Sequence, residues 1–146
     1  MTLNEALDLR RSKRLVFTNG VFDILHAGHV QYLEAARRLG DVLIVGVNTD
    51  ESVRRLGKGP DRPVNTLEDR ITVLSALRAV DGVVAFGEDT PVSLIEALKP
   101  EVHVKGGDHD PEQMPETPVV RSYGGQVIIL PTLEGRSTTE TLRRLA

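Results

Sequence analysis

The chain has 146 residues, 40% hydrophobic and 27% charged, which suits one globular domain with a core and is too short for two ordinary ones. A net charge of -3 and an aromatic content of 3% argue against a protein that holds nucleic acid by charge and base stacking. The absence of cysteine removes disulfides, thiolate metal sites and a cysteine nucleophile together.

Leu3–Arg10 is expected to open the chain as a helix. Leu15–Thr18 follows as the first of five short apolar runs, and Ala27–Leu39 as a helix with Val30, Leu33 and Ala36 on one side. Gly40 stands where a C-terminal cap belongs. After the run Val42–Val47, the stretch Gly57–Asn65 reads as irregular. Leu67–Ala79 starts behind Thr66 with Asp69 three residues on, a start resembling a capping box, and its apolar stripe is Leu67, Ile71 and Leu74. Gly82–Phe86 is the third run. Pro91–Leu98 opens with proline at a plausible first helical position and stops before Pro100. Val102–Val104 and Val127–Leu130 complete the runs, Asp108–Pro118 between them reads as irregular, and Ser137–Leu145 reads as a closing helix.

The runs are rich in Val and Ile and bounded by Gly, Asp, Pro or Asn, so they read as strands. They are continuous more than alternating, as in strands covered on both faces. Strands alternating with helices predict an α/β fold: a five-stranded parallel sheet between two helical layers, joined by right-handed crossovers. One domain over residues 1–146 is expected. No apolar run reaches signal-peptide or membrane-spanning length, so the expected address is the cytoplasm, with no membrane partner.

Two histidines, His26 and His29, lie three apart with Gly28 between them, after the first strand and at the start of a helix. Free amides and the helix dipole favour negative charge there, and glycine lets a phosphate come close. A second element, Glu134-Gly135-Arg136-Ser137-Thr138-Thr139, follows the fifth strand and opens the last helix, so its hydroxyls and amides would also face an anion. Lys58 sits in Gly57-Lys58-Gly59-Pro60, placed to fold over phosphates but without the spacing of a Walker A loop. Arg70 lies on the border of an apolar stripe, from which it could reach a neighbouring site. Lys105-Gly106-Gly107-Asp108 follows the fourth strand. Both signatures and the Gly-Gly-Asp turn thus follow carboxyl ends of strands, where open α/β sheets bind ligands.

His26-Ala27-Gly28-His29 resembles the His-x-Gly-His signature of the cytidylyltransferase-like nucleotidylyltransferases, and the Ser-Thr-Thr run resembles their second signature. Class I aminoacyl-tRNA synthetases share a related first signature, but their Lys-Met-Ser-Lys-Ser loop is absent. Phe17-Thr18-Asn19-Gly20, Phe22-Asp23-Ile24-Leu25-His26, Arg62-Pro63-Val64-Asn65, Leu67-Glu68-Asp69-Arg70 and Val104-Lys105-Gly106-Gly107-Asp108 are similar to one subfamily, the adenylyltransferase domain of ADP-heptose synthesis. The resemblance implies a Rossmann-like fold and transfer of AMP from ATP to D-glycero-β-D-manno-heptose 1-phosphate, in a homodimer, with Mg2+ carried by ATP and no metal site on the protein. It implies His26, His29, Lys58 and Arg70 as catalytic residues. Nucleotide contacts are expected from Asn19, Gly20, Phe22, Asp23, Gly28, Lys105, Gly107, Asp108, Glu134, Ser137, Thr138 and Thr139, with Asp23 orienting a histidine. His109 and Pro111–Thr117 depart from the subfamily pattern. Two rivals stay open: a cytidylyltransferase acting on glycerol 3-phosphate or a similar alcohol phosphate, and an ATP-binding sensor without catalysis.

Overall fold

All five apolar runs are strands, and each pairs in parallel with its neighbours. The computed structural model describes residues 1–57 and 59–131. The strands are β1 (Leu15–Gly20), β2 (Val42–Asn48), β3 (Gly82–Phe86), β4 (Val102–Gly106) and β5 (Gln126–Leu130), in the order β3-β2-β1-β4-β5. The helices are α1 (Leu3–Arg10), α2 (Ala27–Arg37), α3 (Asp50–Arg55), α4 (Leu67–Ser75), α5 (Val92–Leu98) and α6 (Glu116–Ser122). β2 is buried along its whole length, which explains the run without polar residues from Val42 to Val47.

The pleat divides the core. Val16, Val45 and Val104 face Leu33 and Ala36 of α2 and Leu74 of α4. Leu15, Phe17 and Ile44 face Ala6 of α1, Leu94, Ile95 and Leu98 of α5 and Val120 of α6. The expected stripe of α4 is confirmed, since Leu67 and Ile71 pack beside Leu74.

Gly46 in β2 has no room for a side chain. A Cβ there would stand 2.7 Å from Phe17 Cζ and 3.4 Å from Phe86 Cε1. Gly46→Ala is therefore expected to cost about 1–3 kcal/mol by overpacking. A melt showing no loss would contradict this packing.

Some boundaries differ from expectation. α2 ends at Arg37 and α4 at Ser75, short of their expected ends at Leu39 and Ala79. Gly40 is not the residue that caps α2; it allows close approach, because a Cβ would lie 2.7 Å from the Arg14 carbonyl oxygen. α3 was not foreseen. It is six residues long and held by Thr49, whose hydroxyl accepts from the Ser52 amide. The stretch Asp108–Pro118 is not wholly irregular: a 3-10 turn at Pro111–Gln113 leads into α6. Pro118 is tolerated in the first turn of α6, where its missing N–H would have had no helical partner. The proposed closing helix Ser137–Leu145 lies outside the described residues. No helix among the described residues is long and apolar enough to cross a membrane.

Candidate active site

From β1 the chain steps to β2 and β3 on one side, then to β4 on the other. The strand order therefore reverses between β1 and β4, and the crevice at their carboxyl ends is the expected ligand position. The loop leaving β1 takes a sharp course, with Phe22 in the left-handed region at φ 49°. Bulky residues seldom adopt that conformation, and it concentrates at functional positions. Here it brings the Phe22 ring edge-on to His29, with centroids 5.7 Å apart.

His26 and His29 build their own helix start. His26 is the N-cap of α2, and its Nδ1 accepts from the Gly28 amide at 3.0 Å. His29 Nδ1 accepts from the His26 amide at 3.2 Å, completing a capping box made of two imidazoles. The Gly28 amide, expected to face an anion, is thus turned to the His26 ring.

These bonds fix the tautomers. A nitrogen that accepts from an amide holds a lone pair, so a neutral ring must carry its proton on Nε2. The two rings lie 4.0 Å apart. Burial, reinforced by the neighbouring His26, depresses the pKa of His29 to about 4. His29 is therefore neutral at pH 7 and presents an Nε2–H donor.

Asp23 is where the structure corrects the sequence reading. It does not orient a histidine. Its buried carboxylate accepts from Arg62 Nε at 2.7 Å and from the Val64 and Asn65 amides at 2.8 Å each. Asn65 Nδ2 returns a bond to the Asp23 carbonyl at 2.6 Å. Burial alone would raise the Asp23 carboxyl; the two amides and the guanidinium outweigh it and hold the carboxyl below its ordinary range. The result is a clasp between the histidine loop and residues 62–65. Arg62 and Asn65 belong to the family-like pattern and to the stretch expected to be irregular, with no role read for either.

Arg70 is also deeper than expected. It is 1% exposed, and it donates to the carbonyls of Asn65, Val21 and Asn48 and to Asp50 Oδ1. Four of the five guanidinium hydrogens are thereby engaged within the protein. Rather than emerging at the helix edge, Arg70 joins the loop after β1, the end of β2 and the start of α3.

Across the strand reversal, Lys105 Nζ donates to the Asn19 carbonyl at 2.8 Å, and Asn19 Oδ1 lies 3.0 Å from His103 Nε2. Gly20 packs close to the Phe22 ring. Gly107 and Asp108 are exposed in the turn after β4, which closes with the His109 amide on the Gly106 carbonyl. Lys58, Glu134, Ser137, Thr138 and Thr139 lie outside the described residues. His103 was not anticipated, because one histidine within an apolar strand carries no spacing signal.

A pH dependence follows from the buried ring of His103 and the half-buried ring of His29. Burial, with Lys105 and His109 nearby, depresses the pKa of His103 to about 3. Between pH 6.5 and these depressed values the unfolded chain binds more protons than the folded one, so stability falls as pH falls. From pH 7 to pH 5, His103 alone is expected to remove about 2 kcal/mol, and His29 adds to the loss. Denaturant unfolding at the two pH values checks this; equal stability would show that both rings protonate freely in the fold.

A parallel sheet with paired imidazole donors at its strand reversal is suited to handling phosphates. The chain belongs to the cytidylyltransferase-like family, whose model matches residues 17–133, and so to the nucleotidyltransferase enzymes. It is 56% identical over 136 residues to D-beta-D-heptose 1-phosphate adenylyltransferase of Bordetella bronchiseptica, covering 93% of this chain and 84% of that protein. Against the bifunctional protein HldE of Syntrophotalea carbinolica the identity is 50% over 146 residues. That match takes in 99% of this chain but only 30% of the relative's length. The solved lipopolysaccharide core biosynthesis protein from Thermoplasma volcanium GSS1 aligns with a TM-score of 0.67 at 30% identity, over 83% of this chain and 97% of that one.

Proposed function

We propose that this chain transfers AMP from ATP to D-glycero-β-D-manno-heptose 1-phosphate, yielding an ADP-sugar and pyrophosphate. The observation that carries the chemistry is the histidine pair, in which each Nδ1 accepts from a backbone amide, so that the proton of each neutral ring sits on Nε2. The choice of substrates is supported by the relative from Bordetella, whose name states heptose 1-phosphate and adenylyl transfer.

An oxygen of the sugar phosphate attacks the α-phosphorus of ATP, and the bond to the β-bridging oxygen breaks with its electron pair leaving on pyrophosphate. A phosphate monoester has a second pKa near about 6 and is already a dianionic nucleophile at neutral pH. No general base is needed. The protein has to align the two substrates and stabilise charge on the transferring group, and His26 and His29 supply donors for it. Lys58 and the Ser137-Thr138-Thr139 run, with Glu134 beside it, would serve the triphosphate. Asn19, Lys105 and the Gly107-Asp108 turn line the strand-reversal side. Asp23 and Arg70 act at one remove, holding the loops that carry Phe22 and the histidines.

Magnesium enters with ATP as part of the substrate. Among the described residues no group of three or more His, Asp or Glu side chains could hold a metal ion. The same reading includes one domain over residues 1–146, a homodimer and a cytoplasmic address.

The test is pyrophosphate release with ATP or CTP against heptose 1-phosphate or glycerol 3-phosphate. Release confined to ATP with the heptose phosphate is expected. Release with CTP and glycerol 3-phosphate would replace the substrates, and ATP binding without release under any pairing would favour a sensor.

A further inference from the structure

His103 occupies β4 opposite Phe17 of β1, with ring centroids 5.7 Å apart, and it is 0% exposed. The ring's only hydrogen bond among the described residues joins Nε2 to Asn19 Oδ1 at 3.0 Å, across the gap where the strand order reverses. Its Nδ1 is buried with no partner among the described residues. That asymmetry assigns the proton. A stranded N–H is the rarer and costlier defect, so Nε2 carries the hydrogen and donates to the carboxamide oxygen. A second constraint comes from Lys105, whose ammonium holds the Asn19 carbonyl at 2.8 Å. The Asn19 backbone is thus pinned at the end of β1, and its side chain is locked in one of two flip states. In that state the oxygen faces inward and the NH2 takes the other side of a half-buried carboxamide, where no described residue accepts from it. A buried imidazole with one satisfied nitrogen is a poor way to stabilise a strand, since an apolar residue would fill the space without the orphaned atom.

We propose that His103 is a positioning residue that holds the Asn19 carboxamide with its NH2 turned toward a substrate oxygen at the β1–β4 reversal. The chemistry recognised is a hydrogen-bond-accepting oxygen, either a ribose hydroxyl of the nucleotide or an oxygen of the sugar phosphate. This rests on the adenylyl-transfer reading, because it assigns a contact for those substrates. His103 itself touches neither substrate and acts through Asn19.

The imidazole nitrogens can be mimicked separately: glutamine places an amide nitrogen near Nε2, and asparagine places one near Nδ1. Steady-state kinetics of His103→Gln, His103→Asn and His103→Leu, with unfolding midpoints, therefore separate positioning from packing. His103→Asn and His103→Leu are expected to raise the KM of one substrate about tenfold, the equivalent of one lost hydrogen bond. His103→Gln should return it to within about twofold of the parent, even if its midpoint falls as far as that of His103→Asn. Whether the affected KM is that of ATP or of the heptose phosphate identifies the oxygen. Unchanged KM values in His103→Asn, or a glutamine variant no better than the asparagine one, would overturn the proposal. The parent enzyme assayed in parallel keeps this distinct from failure of the reading itself, since that failure would appear as a parent without turnover. Histidine side-chain NMR gives a readout independent of turnover: an Nε2-protonated His103 is expected at neutral pH, and an Nδ1-protonated ring would also overturn it.

Discussion

His26→Asn is expected to lower kcat by about 10²–10³-fold while moving the unfolding free energy by no more than about 0.5 kcal/mol. The contrast comes from the two nitrogens doing different things. His26 Nδ1 caps the Gly28 amide at the start of α2. Asparagine is among the best residues at that position and can keep the cap with its side-chain oxygen. It has nothing where Nε2–H stood. His26→Ala should show the same kinetic loss plus about 1 kcal/mol of instability, because the cap disappears as well. Kinetics and denaturant melts on the two variants check the pair. An asparagine variant retaining more than a tenth of the parent kcat would remove the Nε2–H donor from the mechanism.

The second large effect is on stability. Asp23→Asn removes the charge that pairs with buried Arg62 and weakens the acceptor for the amides of Val64 and Asn65. Leaving one member of a buried ion pair alone costs about 3–5 kcal/mol. For a chain of this size that is a fall in Tm on the order of 10 °C. Arg62→Met alone should also destabilise, and the double variant should be less damaged than the sum, since neither charge is then stranded. Additive losses would mean that Asp23 and Arg62 contribute separately and that the clasp is not a unit. Because the clasp ties residues 62–65 to the loop carrying the histidines, the single variants should also raise KM.

How far the sequence could be read depended on whether a local pattern encoded the feature. The five strands were plain from short runs rich in Val and Ile, and in β2, buried at all seven positions, the run from Val42 to Val47 follows from cover on both faces. The helix carrying the histidines was equally legible, from its period and the signature at its start. α3 was invisible: among its six residues Val53 alone is apolar, and one apolar residue makes no stripe. α6 was hidden by Pro115 and Pro118, which read as breakers although both fall at the start of the helix.

Within the site, chain position was easier to foresee than partnership. The motifs do gather at the strand reversal, because strand direction and order carry them there. Which side chain bonds to which was not encoded locally. Asp23 sits three residues before His26, yet its partners lie about forty residues away in the Arg62–Asn65 stretch. Arg70 borders an apolar stripe and was read as reaching outward, but the Val21, Asn48 and Asn65 carbonyls draw it inward. A helical period cannot reveal such long-range acceptors. The same is true of His103, which gains its meaning from Asn19, eighty-four positions away in the chain.

The most direct measurement follows phosphorus through a single reaction. With ATP labelled at the α-phosphate and unlabelled heptose 1-phosphate, the label should appear in the sugar product, one for each pyrophosphate released. With ATP labelled at the γ-phosphate it should appear only in pyrophosphate. Label from the γ-position in the sugar product, or ATP bound and recovered unchanged, would contradict adenylyl transfer by this chain.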